Sequence, residues 1–129
     1  MSLRKVLLID DDEAVNFLNK KKIREFDPAC EVITTIDGQD ALNYLDGTDA
    51  CPDVILLDLN MPGMDGFGFL KKYKEMGKCC NESKVFLFIV TSSLRNEDKV
   101  QAATSGLVNG YFEKPLSENQ IKIIDRLFQ

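Results

Sequence analysis

Asp58 follows the apolar run Val54-Ile55-Leu56-Leu57 and precedes Leu59-Asn60-Met61-Pro62-Gly63-Met64-Asp65-Gly66. The run is short and aliphatic, with Pro52 shortly before it and a Pro-Gly turn after it, which reads as a buried strand. A carboxylate at the carboxyl end of such a strand stands where open α/β sheets place their ligand sites. A second run, Val6-Leu7-Leu8-Ile9, also ends in acid, at Asp10-Asp11-Asp12. A third, Val85 to Val90, ends at Thr91, and the short Gly110-Tyr111-Phe112 leads into Glu113-Lys114-Pro115. If these strands are parallel, their carboxyl ends share one edge. Carboxylates crowded there repel one another and raise each other's pKa. A divalent cation relieves that repulsion, and oxygen ligands with retained water suit Mg²⁺. Lys114 adds a fixed cation and Thr91 a hydroxyl donor. Such a set around one Asp can neutralise a phosphoryl group arriving on it.

The elements that must position these groups alternate strictly. A helix from about Glu13 to Phe26 follows the first strand, with Val15, Leu18, Ile23 and Phe26 in one arc. Asp27-Pro28 ends it, because proline disfavours helix at the residue before it. Glu31 to Ile36 is the second strand. Asp37 caps the next helix, which turns Ala41, Leu42 and Leu45 inward and ends at Gly47. A third helix, using Phe69, Leu70, Tyr73 and Met76, stops at Gly77, and residues 78 to 84 form a polar loop. The fourth helix, about Asn96 to Thr104, is weakly apolar, with Val100, Ala102 and Ala103 to pack, and stops at Gly106. Ser117-x-x-Gln120 is a capping box for a last helix that faces Ile121, Ile124 and Leu127 inward. Five strand–helix pairs predict an α/β fold with a parallel sheet covered by helices on both faces.

Composition narrows the function classes. The chain has 129 residues, 44% hydrophobic and 29% charged, as expected of one soluble globular domain. No segment approaches the roughly 20 apolar residues of a membrane span. The start Met1-Ser2-Leu3-Arg4-Lys5 lacks a signal-peptide layout, so the expected compartment is the cytoplasm. The net charge of −5 argues against a direct nucleic-acid platform, and Lys20-Lys21-Lys22 reads as a solvated helix face. With no His, the chain has no zinc site of the Cys/His kind and no Ser-His-Asp triad. Cys30, Cys51, Cys79 and Cys80 match no paired metal spacing and read as buried or incidental thiols. Vicinal cysteines bridge only with strain, so Cys79-Cys80 reads as an accident of the loop. Met61, Met64 and Phe67 read as core packing and turn anchoring rather than a partner groove.

Asp12 and Asp65 are expected to be helix caps. The convergence of Asp10, Asp11 and Asp58 with Lys114 is a different matter, because it draws on independent strand ends. The set Asp10-Asp11, Asp58-x-Asn60-Met61-Pro62-x-Met64-Asp65-Gly66, Thr91 and Lys114-Pro115 resembles the receiver domain of two-component response regulators. The resemblance covers essentially the whole chain, 1–129, as a receiver domain with no output domain in this chain. It implies a flavodoxin-like, doubly wound (βα)5 fold with strand order 2-1-3-4-5. It implies that Asp58 is the phosphoacceptor, supplied by a histidine kinase, a His-containing phosphotransfer protein or a small phosphodonor. Asp11 and Asp58 would ligate Mg²⁺ with the backbone carbonyl of Asn60, and Asp10 would act through water. Thr91 and Lys114 would bind phosphoryl oxygens, and the Lys114-Pro115 bond would be cis. In the family's switch Thr91 moves toward the phosphoryl group and the aromatic residue of strand five, here Tyr111, turns inward. The plain alternative for Tyr111 is a half-buried strand aromatic. Ser92 replaces a small apolar residue often found there.

The implied function is therefore a signalling switch rather than an enzyme, read out by an unidentified downstream protein, with no membrane or direct nucleic-acid partner. A haloacid-dehalogenase-like phosphatase also uses an Asp nucleophile after a buried strand with Mg²⁺. It wants a second Asp two residues later, where this chain has Asn60. A flavodoxin-type FMN binder needs a phosphate loop after strand one, where Asp10-Asp11-Asp12 would repel the ligand.

Overall fold

A computed structural model describes residues 4–79, 85–92 and 95–128. The strands are β1 (Lys5–Ile9), β2 (Glu31–Thr35), β3 (Val54–Leu57), β4 (Phe86–Thr91) and β5 (Gly110–Glu113). The helices are α1 (Glu13–Phe26), α2 (Gly38–Gly47), α3 (Gly66–Met76), α4 (Asn96–Ser105) and α5 (Glu118–Arg126). All pairings are parallel and the sheet order is β2-β1-β3-β4-β5, the arrangement the strand–helix alternation and the resemblance imply.

Successive side chains of a strand point to opposite faces, so each apolar run serves two cores. Val6, Leu8, Val54, Leu56, Phe88 and Val90 pack with Ile23 of α1 and Ile121 and Ile124 of α5. Leu7, Ile9, Ile55, Leu57 and Leu87 pack with Ala41, Leu42 and Leu45 of α2 and Phe69, Leu70 and Tyr73 of α3. Ile89 and Leu59 meet Ala102 of α4, with Tyr111 against them.

The caps follow the sequence. Asp12 accepts from the N–H groups of Ala14 and Val15, Asp37 from Asp40 and Asp65 from Gly68. Ser117 and Gln120 form the reciprocal box at α5. Gly77 and Gly106 take left-handed conformations that end α3 and α4. Lys114-Pro115 is cis.

Several inward assignments need correction. Leu18 is 52% exposed and Phe17 67%, while Asn16, Asn19 and Ile23 are the buried positions of α1. The helix is turned so that an amide rather than an aliphatic side chain meets the sheet, because Asn16 has two backbone carbonyls to satisfy there. Val100 and Leu127 are also exposed, at 68% and 44%, and Ala103 is exposed, leaving Ala102 as the buried residue of α4. Thr35 rather than Ile36 closes β2, and Ile36 is exposed.

The cysteines also divide differently. Cys51 and Cys79 form a disulfide across 28 residues, with Cα atoms 5.6 Å apart, joining the segment after α2 to the segment after α3. Sequence spacing gave no sign of it, since neither element's position is encoded in the distance between the two residues. Cys30 stays a free core thiol, its pKa pushed up to about 12 by burial and then by the nearby Asp27 and Asp53 carboxylates. The polar loop at 78 to 84 lies, beyond residue 79, outside the described residues, as does Cys80.

The disulfide belongs to a tightly fastened amino-terminal edge of the sheet. Asp53 Oδ2 accepts from the N–H groups of Arg4 and Lys5 at 2.9 and 3.0 Å, and Lys5 Nζ donates to the Ala50 carbonyl at 3.1 Å. Phe86 N–H in turn donates to the Asp53 carbonyl at 2.9 Å. Closing a loop of this length removes chain entropy from the unfolded state, so Cys51→Ser is expected to lower stability by about 2–4 kcal/mol. Thermal melts with and without dithiothreitol check it. A wild-type Tm indifferent to reductant would show that the bridge contributes nothing.

Candidate functional site

Register carries the acidic groups to one place. Ile9 pairs with Thr35 and Leu57, and Leu57 pairs with Ile89, so Asp10 and Asp58 leave neighbouring strands side by side. Thr91, the last residue of β4, pairs with Glu113, and Lys114 follows directly. Asp58 N–H donates to the Ile9 carbonyl and Lys114 N–H to that of Thr91, both at 2.9 Å, continuing the ladder into the loops.

One carboxylate oxygen from each of Asp10, Asp11 and Asp58 lies within 4.8 Å of the others. Asp10 and Asp58 are buried, each 5% exposed, whereas Asp11 faces solvent. Lys114 Nζ stands 2.6 Å from Asp10 Oδ2 and 3.3 Å from Asp58 Oδ2. The other oxygen of Asp58 accepts from Asn60 N–H at 3.2 Å, so both of its oxygens are held. Thr91 is fully buried, and its hydroxyl accepts from the Asn60 side-chain amide at 3.2 Å.

Burial pushes the Asp58 carboxyl above the ordinary carboxylate range. The Asn60 amide and Lys114 pull it down without cancelling that, and Asp10 adds to the rise. Burial acts in the same sense on Lys114, against its charge, but the Asp10 and Asp58 carboxylates outweigh it and hold the ammonium above its usual range. Three carboxylates and one ammonium leave an excess of negative charge. Oxygen donors at this mutual distance suit a hard divalent cation.

The structure thus brings together Asp10, Asp11, Asp58, Asn60, Thr91 and Lys114. Tyr111 is apart from them: half-buried on β5, its hydroxyl donates to the Lys99 carbonyl of α4 at 3.1 Å. Asp12 and Asp65 are caps, as their positions suggest.

Two supporting residues have roles that the sequence did not assign, although Gly66 closes the motif that begins at Asp58. A Cβ on Gly66 would come within 2.8 Å of Leu59 Cα and 3.0 Å of the Asp58 carbonyl oxygen, so only glycine lets α3 start this close to the Asp58 loop. Asn16 binds the backbone beneath Asp10 from α1. A polar residue interrupting the inward face of a helix was the available signal for it.

Comparison with known proteins agrees with this geometry. The family model for the response regulator receiver domain matches residues 6–125. Among solved structures, a two component response regulator from Cytophaga hutchinsonii is 33% identical with a TM-score of 0.84, over 96% of this chain and 95% of that one. The chemotaxis protein CheY4 of Vibrio cholerae is 27% identical with a TM-score of 0.81, over 98% and 99% of the two chains. The response regulator PleD of Caulobacter vibrioides is 34% identical over 119 residues, which are 92% of this chain and 24% of PleD. The hybrid signal transduction histidine kinase L of Dictyostelium discoideum is 30% identical over 123 residues, 95% of this chain and 7% of that protein. The chain therefore spans only a small part of these curated relatives. Neither the family match nor these relatives give support to a haloacid-dehalogenase-like phosphatase. With the sheet order, the acidic edge and the match over residues 6–125 in agreement, the chain belongs to the response regulator receiver domain family.

Proposed function

We propose that Asp58 accepts a phosphoryl group and that its phosphorylation switches a protein-binding face, making the chain a signalling switch rather than an enzyme acting on an external substrate. The observation that carries this reading is the Asp10–Asp11–Asp58 cluster with Lys114 at one strand edge. The donor would be a histidine kinase, a His-containing phosphotransfer protein or a small phosphodonor. An Asp58 oxygen forms the new P–O bond while the bond from phosphorus to the donor breaks, and the leaving electron pair stays with the donor. Lys114 is within reach of the incoming oxygens once it releases Asp10, and Asn60 links the Thr91 hydroxyl, through its side-chain amide, to Asp58, through its backbone N–H. Asp11, Asp58 and the Asn60 carbonyl would hold Mg²⁺, with Asp10 acting through water. That ion, when bound, would offset the excess carboxylate charge and the charge of the phosphoryl group.

Acetyl phosphate with Mg²⁺ is expected to add one phosphoryl mass that hydroxylamine removes, and Asp58→Asn to abolish it. Equal labelling of Asp58→Asn would place the acceptor elsewhere.

The ligands must be ionised to hold a cation, so affinity for Mg²⁺ follows the carboxylate pKa values. Burial raises Asp58 above the ordinary range. The sign is therefore that affinity declines on acidification earlier than exposed carboxylates would make it. Calorimetric titrations from neutral to mildly acid pH check this, with Asp11→Ala weakened throughout. Lys114→Ala, freed of a competing cation, should bind Mg²⁺ at least as well as wild type. Equal affinity for wild type and Asp11→Ala would remove the proposed ligand set.

The face that changes is α4–β5–α5. α4 buries only Ala102 among its described residues, and few buried contacts give low local stability. Tyr111 bridges β5 to α4 through the Lys99 carbonyl, and Thr91 is two residues beyond its strand partner Ile89. A partner protein, or a second copy of the domain, would dock here. Amide exchange with and without beryllofluoride is expected to change across residues 94 to 112. Changes confined to the loops around Asp58 would mean that no switch of this kind operates.

A further inference from the structure

Asn16 lies on the second turn of α1, 3% exposed, in a helix whose exposed side carries Phe17 and Leu18. An aliphatic residue at this inward place would bury more apolar surface and carry no polar side-chain atom of its own to satisfy. The amide has a specific task instead. Its Nδ2 donates to the Asp10 carbonyl at 2.8 Å and to the Thr35 carbonyl at 3.1 Å, bridging the ends of β1 and β2. Both neighbours are acceptors, so the orientation of the amide is fixed by chemistry. Its Oδ1 is buried with no partner among the described residues, so the side chain acts here as a donor.

The bridge fixes the turn that carries the acids. Asp10 N–H and Asn16 Nδ2 both reach the Thr35 carbonyl, while the Thr35 hydroxyl donates to the Leu8 carbonyl at 2.8 Å. Above it, Asp12 N–H donates to Asp10 Oδ1 at 2.9 Å, and Asn16 N–H donates to the Asp12 carbonyl at 3.0 Å. Asp10, Asp11 and Asp12 are thus held at both ends of the turn by one residue, through its backbone and its side chain.

We infer that Asn16 is a positioning residue for the metal site: it sets where the Asp10 and Asp11 carboxylates stand relative to Asp58. The inference rests on the receiver reading of that site and names the part of α1 that enforces it. Groups that orient metal ligands change affinity without touching the ion, typically by tenfold or more. Asn19, one turn along the same face and also buried, makes no side-chain hydrogen bond to Asp10 or Thr35 and provides the packing control.

The test is a MgCl₂ titration by calorimetry of the full chain and of Asn16→Leu, Asn16→Ser and Asn19→Leu, each below its own melting temperature. Asn16→Leu keeps the branched outline with a bulkier side chain, and Asn16→Ser covers the case in which leucine prevents folding. Both Asn16 variants are expected to bind Mg²⁺ about tenfold more weakly, with Asn19→Leu close to wild type. Raising Mg²⁺ should restore their labelling by acetyl phosphate, and the Asp12 amide should exchange faster even without metal. Wild-type affinity in Asn16→Ser, or an equal loss in Asn19→Leu, overturns the role of Asn16 and leaves the site reading intact. A wild-type chain that binds no Mg²⁺ overturns the site reading and the role of Asn16 with it.

Discussion

Two buried carboxylates, Asp10 and Asp58, share the ammonium of Lys114, with Asp11 a few ångströms away in solvent. Like charges this close oppose folding unless something holds them, since burial weakens the solvent screening that would otherwise separate them. Much of the local architecture answers that need. The parallel register sets Asp10 beside Asp58, and Asn60 holds a second Asp58 oxygen. Gly66 allows α3 to close against the Asp58 loop, and Asn16 ties down the Asp10 turn. Burial still leaves the Asp58 carboxyl above its ordinary range, and the neighbouring Asp10 charge adds to the rise. A site that stays short of neutrality is one that attracts a cation and can accept a charged group with it.

The same arrangement makes Lys114 an internal placeholder. Its contact to Asp10 is closer than its contact to Asp58, so the residue read as the acceptor is the less tightly neutralised of the two. Thr91 is likewise engaged, through Asn60 rather than with Asp58 directly. The pocket holds its parts against one another, one hydrogen bond removed from the arrangement that chemistry at Asp58 would require.

The fold was legible because its signals were local and repeated: apolar runs of strand length, caps at Asp12, Asp37, Asp65 and Ser117, and stops at Gly77 and Gly106. The site was legible because parallel strands convert separate positions in the chain into one edge. What escaped was set by tertiary geometry. Apolar periodicity placed Leu18 inward, but the hydrogen bonds of Asn16 turn α1 the other way. The pairing of Cys51 with Cys79 depends on how α2 and α3 end beside each other, which spacing does not encode. Leu127 and Val100 fit a helical stripe and yet stand outside the packed surface. In each case the period was right and the phase, or the partner, was decided elsewhere.

The two edges of the sheet are built to opposite specifications. At the amino edge, Asp53 accepts two backbone N–H groups, Lys5 reaches the Ala50 carbonyl, and the Cys51–Cys79 bond joins the segments that follow α2 and α3. At the carboxyl edge, excess charge is contained by the Lys114 ion pairs and by hydrogen bonds from Asn16, Asn60 and the Asp12 N–H, with no covalent tie among the described residues. The covalent tie and the excess charge thus stand at opposite ends of the same strands. A rearrangement confined to the charged end would leave the fastened end holding the strands in register, with no need to sample the unfolded state.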